Sequence, residues 1–192
     1  MNKNKNSFYT EDELSTLGFK SIGKEIFISR YAKFYDIQNI SIGNNVRIDD
    51  FSILSGKISL GNFIHISAFC AIYGSKGVAL KDFSGLSPRT TIFSASDDFS
   101  GNFLMGPMVS KKYTNVIGGM VVIGKYSQIG ANSIILPNIE IGEGVSVGAL
   151  SLVNKSLADW GIYAGVPAKY IKERSKLLLN LEREFINKNE YR

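Results

Sequence analysis

From Ile123 the chain places an aliphatic residue at every sixth position, at Ile129, Ile135, Ile141, Val147 and Val153, and a glycine follows directly at Gly124, Gly130, Gly142 and Gly148. The same register runs upstream as triplets: Ile22, Ile28 and Phe34; Ile42, Ile48 and Leu54; Leu60, Ile66 and Ile72; Leu80, Leu86 and Ile92. Successive triplets start 20, 18, 20, 43 and 18 residues apart, so eighteen is the unit and the excesses are insertions at corners. A period of six is neither the 3.6 of a helix nor a simple alternation; it marks a β-helix in which each triplet is one turn of three short strands. One such turn cannot bury its own apolar face, whereas stacked turns pair their edges and share a core. Six turns spaced by about 4.8 Å predict a prism roughly 29 Å long. Four positions beyond the aliphatic residue stands something small or β-branched, as a tight corner requires: Val46, Ser52, Cys70, Thr90, Ser127, Ser133, Val145 and Ser151.

Outside the repeat, Thr10 and Glu13 predict a capping box for a short helix within 7–18 that Gly18 ends. The turns occupy 20–155, broken by one long loop over 94–121 whose GNFLMGPM is apolar. The tail, 168–192, carries Ile171, Leu177, Leu178, Leu181 and Phe185 at helical spacing, which predicts an amphipathic helix from Tyr170 onward. Both ends are expected to cap the open rims of the prism.

The whole chain of 192 residues fits a single domain, 44% hydrophobic and 20% charged, with a net charge of +5. The basic excess does not gather into a nucleic-acid footprint, because the tail's lysines and arginines alternate with acids. No stretch approaches the ~20 apolar residues of a membrane span, and the N-terminus lacks the apolar run of a secretory signal. Neither a nucleic acid nor a membrane is therefore an expected partner. The single Cys70 cannot form an internal disulfide and suits a reducing cytoplasm. It fits a packed corner and lies an odd number of residues from His65, which argues against a Cys–His nucleophile. One cysteine and one histidine leave little for a metal site, and none is expected.

RIDDFSILSG, HISAFCAIYG, GLSPRTTIFSASDDFSG and YAGVPAKYIKER resemble the hexapeptide-repeat acetyl-CoA-dependent sugar acetyltransferases, over about residues 10 to 175. The likeness is to the subgroup that N-acetylates nucleotide-linked 4-amino-4,6-dideoxyhexoses, such as dTDP-4-amino-4,6-dideoxyglucose, for surface polysaccharide (O-antigen) synthesis. It implies a left-handed winding, which nothing in the spacing shows. It also implies a homotrimer with active sites between subunits, the long loop walling the pocket of its neighbour.

By the same resemblance, backbone groups near Ala131, Gly148 and Ala149 hold the pantetheine arm of acetyl-CoA, and Lys155, Lys169 and Lys172 meet its phosphates. Gln128 belongs to this set, although it stands where the family often has an aromatic and cannot stack. His65 and Ser67 face the acceptor, and Asp97 occupies the place where the related sugar O-acetyltransferases carry their histidine base. A carboxylate near 3.9 is a poor base for a hydroxyl, whereas a neutral amine already carries its lone pair and needs only orienting. The acid therefore points to N-acetylation. The adjacent Asp98 is expected to raise one of the two pKa values by like-charge repulsion. Ser94, Asp98, Asp49, Asp50 and Arg89 complete the expected substrate contacts, and His65 and Asp97 are the expected catalytic pair. A galactoside or maltose O-acetyltransferase using His65, and a non-catalytic solenoid, stand as alternatives. A γ-type carbonic anhydrase does not, since its zinc takes three histidines.

Overall fold

The computed structural model describes residues 7–187. Its strands form a left-handed parallel β-helix of six complete turns with three flat faces. The first face stacks Ser21–Ile22, Ile40–Ile42, the end of Ile53–Leu60, the end of Ala71–Leu80, Val121–Ile123 and Glu140–Ile141. The second stacks Ile26–Ile28, Val46–Ile48, Ile64–Ile66, Gly85–Leu86, Gln128–Ile129, Ser146–Val147 and Gly161–Ala164. The third stacks Lys33–Tyr35, the start of Ile53–Leu60, the start of Ala71–Leu80, Thr91–Phe93, Ile134–Ile135 and Leu152–Val153.

The sixfold period is the reason these faces close. Every hexad aliphatic residue from Ile28 on, Phe34 excepted, points inward and is almost wholly buried; Ile48, Leu54, Ile66, Ile72, Ile92, Ile129 and Ile135 have no exposed area at all. Each such burial is worth about 1.5–3 kcal/mol against the entropy of ordering its turn.

The corners explain the small residues. Each of the eight is buried and follows a residue in the left-handed region: Asn45, Phe51, Phe69, Arg89, Tyr126, Asn132, Gly144 and Leu150. That conformation turns the strand through the corner and aims the next side chain into the prism edge, where only a small group fits. Hydroxyls tie turns together, Ser52 donating to the Ser67 carbonyl at 3.0 Å and Ser127 to that of Gly142 at 2.7 Å, while Thr90 closes its own corner on the Ser87 carbonyl at 2.8 Å. Cys70 is packed in the same way, its thiol donating to the Ser87 carbonyl and pushed up to about 11 by burial. The strained aromatic corners gain back contact by stacking: Phe63 lies on Phe83 at 4.5 Å and Phe51 on Phe69 at 5.0 Å.

At the lower rim, helix α1 (Glu11–Thr16) has both halves of the expected capping box and buries Leu14. It is shorter than 7–18 because Phe8 pairs antiparallel with Ser29 before the helix begins. The long loop is not wholly irregular: Ala95–Asp97 and Val116–Gly118 form an antiparallel ladder that makes it an arm rooted on the prism.

The C-terminal tail departs from expectation. Lys169–Glu173 is a strand, antiparallel to Gly161–Ala164, because the last turn leaves an open edge of unpaired backbone groups that an extended segment satisfies. Ile171 therefore belongs to no helical stripe. Helix α2 (Leu178–Asn187) then runs along the side of the prism instead of capping its rim. Phe185 lies edge-on to Phe63 and Phe83, at 5.4 and 6.4 Å between ring centres. Residues 188–192 of the expected helix lie outside the described residues.

Candidate active site

Strand register aligns side chains from distant parts of the chain into columns. On the outer side of the second face, Arg47, His65, Gly85, Gln128, Ser146, Ile162 and Lys172 occupy successive rungs. Five rungs separate His65 from Lys172, about 24 Å at the usual strand spacing. Gly85 has no side chain, and Gln128 folds across it to donate to the Phe83 carbonyl at 3.3 Å. A Cβ at Gly85 would stand 2.6 Å from the Gln128 amide oxygen, so the glycine is required for that fold.

Beside this column runs the corner into the third face. Backbone amides of Asp49, Ser67, Ser87, Gly130 and Gly148 each donate to the rung above, and this places the five in line. The residues after them, Asp50, Ala68, Pro88, Ala131 and Ala149, form a second line. From Ser67 upward both lines are built of small residues, giving a shelf on which another molecule meets backbone at close range. The tightness along it is real: a Cβ on Gly130 would come within 2.4 Å of the Ala149 amide nitrogen.

The expected residues divide accordingly. The fold brings His65, Ser67, Gln128, Ala131, Gly148, Ala149, Lys169 and Lys172 to one face and its bordering corner. Lys155, Lys169 and Lys172 form no salt bridge among the described residues. Lys155 follows the last third-face strand, away from this column.

Asp97 lies elsewhere, on the arm, in a cleft of about 770 Å³ lined by Tyr73, Phe93, Asp36, Lys111 and Val116 among others. Tyr73 and Phe93 stack at 5.3 Å and make one wall. None of the second-face residues lines this cleft, so within one chain Asp97 and His65 belong to separate surfaces. Among the described residues the Asp97 carboxylate takes no hydrogen bond and no ion pair.

Several of the expected substrate residues are engaged within the chain itself. Ser94 is completely buried; its hydroxyl donates to the Tyr73 carbonyl at 2.9 Å and accepts from the Lys76 amide at 2.9 Å, which fastens the root of the arm and leaves nothing for a ligand. Asp98 accepts from the Ser100 amide at 2.7 Å and the Asn115 side chain at 2.8 Å. These bonds, Ser100 foremost, hold its carboxyl below the ordinary range, so it is not the raised partner of an acid pair. Asp50 accepts from buried Ser29 at 2.5 Å and braces the turn below. Asp49 is bound by Arg47 and His65, each at 2.7 Å. Arg89 rests over the Phe69 ring at 5.5 Å.

Sequence reasoning missed Ser87, which is half-buried and stands one rung above Ser67. The signal was present, since both follow directly on a hexad aliphatic residue, Ile66 and Leu86. It also missed the hollow of about 410 Å³ between α2 and the Phe83–Tyr126 corner, with Gln128 on its border. Glu182 seats α2 there by accepting from Lys125 at 2.8 Å and from the Tyr126 hydroxyl. Burial acts to raise the Glu182 carboxyl, but these two bonds outweigh it and hold the value down. A depressed carboxylate contributes its stability above the unfolded value and loses it as pH falls, so α2 should loosen as pH drops below about 4.5. Trp160, the single tryptophan, lies 6.1 Å from Tyr126 and reports this. Its fluorescence should change on acidification before the fold melts, and Glu182→Gln should remove that step; a flat signal down to global unfolding would refute the seating role.

Residues 120–155 match the family model described as bacterial transferase hexapeptide (six repeats). The chain is 43% identical over 182 residues to a dTDP-4-amino-4,6-dideoxy-D-glucose acyltransferase of Escherichia coli, covering 93% of this chain and 95% of the relative. It is 51% identical to AntD, an N-acyltransferase from Bacillus cereus, with a TM-score of 0.94 over 96% of this chain and all of that one. Serine-substituted AntD has been solved with dTDP and coenzyme A, and with dTDP-4-amino-4,6-dideoxyglucose and coenzyme A; aspartate-substituted forms and a complex with 3-hydroxybutyryl-CoA are also known. The left-handed β-helix is thus the fold of an acyltransferase, and the chain belongs to the hexapeptide-repeat family of dTDP-4-amino-4,6-dideoxyglucose acyltransferases.

Proposed function

We propose that the protein transfers an acyl group, acetyl in the first instance, from its CoA thioester to the 4-amino group of a nucleotide-linked amino-dideoxy sugar such as dTDP-4-amino-4,6-dideoxyglucose. The observation that carries the N-transfer reading is the state of Asp97: a carboxylate without a partner among the described residues, in a cleft, at the place where the resemblance puts the base of the sugar O-acetyltransferases. It suits an amine, which needs an acceptor for its N–H and no prior activation. The amine lone pair attacks the thioester carbonyl, the C–N bond forms and the C–S bond breaks. The amine proton passes to Asp97 or to His65, and the departing thiolate becomes the thiol on taking it up. Backbone amides of the corner that the ladder does not engage are the donors that polarise the carbonyl. The shelf accepts the pantetheine arm, and Lys155, Lys169 and Lys172 are the cations for its phosphates.

Asp97 and the shelf are apart in one chain, which supports a site completed by a second copy and hence the trimer. The arm exposes Phe99, Leu104, Met105 and Met108, apolar surface suited to a neighbour. The setting proposed is cytoplasmic, in surface polysaccharide synthesis, where nucleotide sugars and acyl-CoA meet. Among the described residues no helix is long and apolar enough to cross a membrane.

The test is transfer from acetyl-CoA and from 3-hydroxybutyryl-CoA to dTDP-4-amino-4,6-dideoxyglucose and to a simple galactoside. Turnover with the amino sugar alone is expected; turnover with the galactoside alone would establish the O-acetyltransferase instead. Failure to bind any acyl-CoA by calorimetry would leave a solenoid without catalysis.

A further inference from the structure

Asp49 follows the second-face strand Val46–Ile48, and His65 stands in the next rung, opposite Arg47. The two oxygens of Asp49 have different partners: Oδ1 accepts from Arg47 Nε and Oδ2 faces His65 Nε2, both at 2.7 Å. The carboxylate side chain is only 18% exposed and the imidazole 52%, so the acid sits behind the ring. An ionised carboxylate only accepts hydrogen bonds. The nitrogen facing it must therefore carry the proton, and in neutral imidazole the lone pair is left on Nδ1. Among the described residues Nδ1 has no partner. The next rung is Gly85, across which the Gln128 side chain folds toward the Phe83 carbonyl, and Ser67 lies two residues along the chain on the same side as His65. The other charged groups nearby are engaged, Asp50 with Ser29 and Arg89 over Phe69.

We infer that Asp49 is a positioning residue: it fixes His65 as the Nε2–H tautomer, so that Nδ1 presents a lone pair to an N–H or O–H of the amino-sugar acceptor. Asp49, expected from sequence to touch substrate, acts through His65 instead. This role rests on reading the second face as the acceptor's side.

His65 is the chain's single histidine, so a tag-free protein labelled with ¹⁵N-histidine gives ring signals that need no assignment. In its neutral form the wild-type ring should show one protonated and one unprotonated nitrogen. The unprotonated signal should shift on adding dTDP-4-amino-4,6-dideoxyglucose. In Asp49→Asn a single amide oxygen is claimed by both Arg47 and His65, and the two nitrogen signals should move toward their average. In steady state, Asp49→Asn should lower kcat/KM for the amino sugar about tenfold. The Asp49→Asn, His65→Gln double variant should be no worse than His65→Gln alone, because one acts through the other. Averaged tautomers in the wild type, or two losses that multiply, would overturn the inference. If Asp97→Asn is inactive while His65→Gln is fully active, this inference fails and the functional reading survives. If the wild type acylates no amino sugar, the functional reading fails and the role of Asp49 falls with it.

Discussion

Asp97→Asn should lower kcat/KM for the amino sugar by about 10²- to 10⁴-fold, the usual range for a positioned proton acceptor, and leave acyl-CoA affinity unchanged. Asparagine keeps the shape of the side chain and its ability to orient an N–H, but it cannot take the proton. Comparison with Asp97→Ala therefore separates orientation from proton transfer: equal losses assign the effect to the proton, and a larger loss in alanine assigns the difference to orientation. The fold should tolerate both changes, since the Asp97 carboxylate has no partner among the described residues and the ladder beneath it, Ala95–Asp97 with Val116–Gly118, is held by backbone. Asp98 is the natural control. Asp98→Asn removes a carboxylate at the adjacent position but disturbs the turn made with Ser100 and Asn115, so it should loosen the arm and affect KM more than kcat. Full activity in Asp97→Asn, measured with saturating acyl-CoA, would remove Asp97 from the mechanism.

The contrast between these neighbours shows where the sequence stops being legible. The sixfold spacing, carried in triplets from Ile22 to Val153, determines which residues point inward, and therefore the number of turns, the long arm and the column that joins His65 to Gln128. Asp98 is made a brace by the Ser100 amide, two residues on, and by Asn115, seventeen residues on, which is brought back only when the arm folds on itself. Ser94 was misread for a related reason: a serine beside a site reads like a ligand until the third face closes over it. The corners hid a different fact. Bulky residues disfavour the left-handed region, so nothing local announces that Phe51, Phe69, Tyr126 and Leu150 adopt it; the closure of the prism imposes that conformation. The strand Lys169–Glu173 was mistaken for helix because its partner is an edge that exists only after the turns have stacked.

Two inactive chains should restore each other if the site lies between subunits. Ala149 is exposed on the shelf, so Ala149→Trp should fill it without disturbing the core and reduce transfer by about 100-fold or more through displaced acyl-CoA. Asp97→Asn leaves the shelf intact and disables the arm; Ala149→Trp does the reverse. In a symmetric ring each site draws its arm from one chain and its shelf from the next. Every mixed trimer then has one of its three sites built from both native parts, and the activity of the mixed assemblies should recover to about a third of wild type. Co-expression with two different tags, followed by capture on both, isolates the mixed assemblies. If Asp97 instead served the shelf of its own chain, every site would carry one defect and capture would recover nothing. A silent mixed assembly would thus place the whole reaction within a single subunit, which the separation of the arm cleft from the second face argues against.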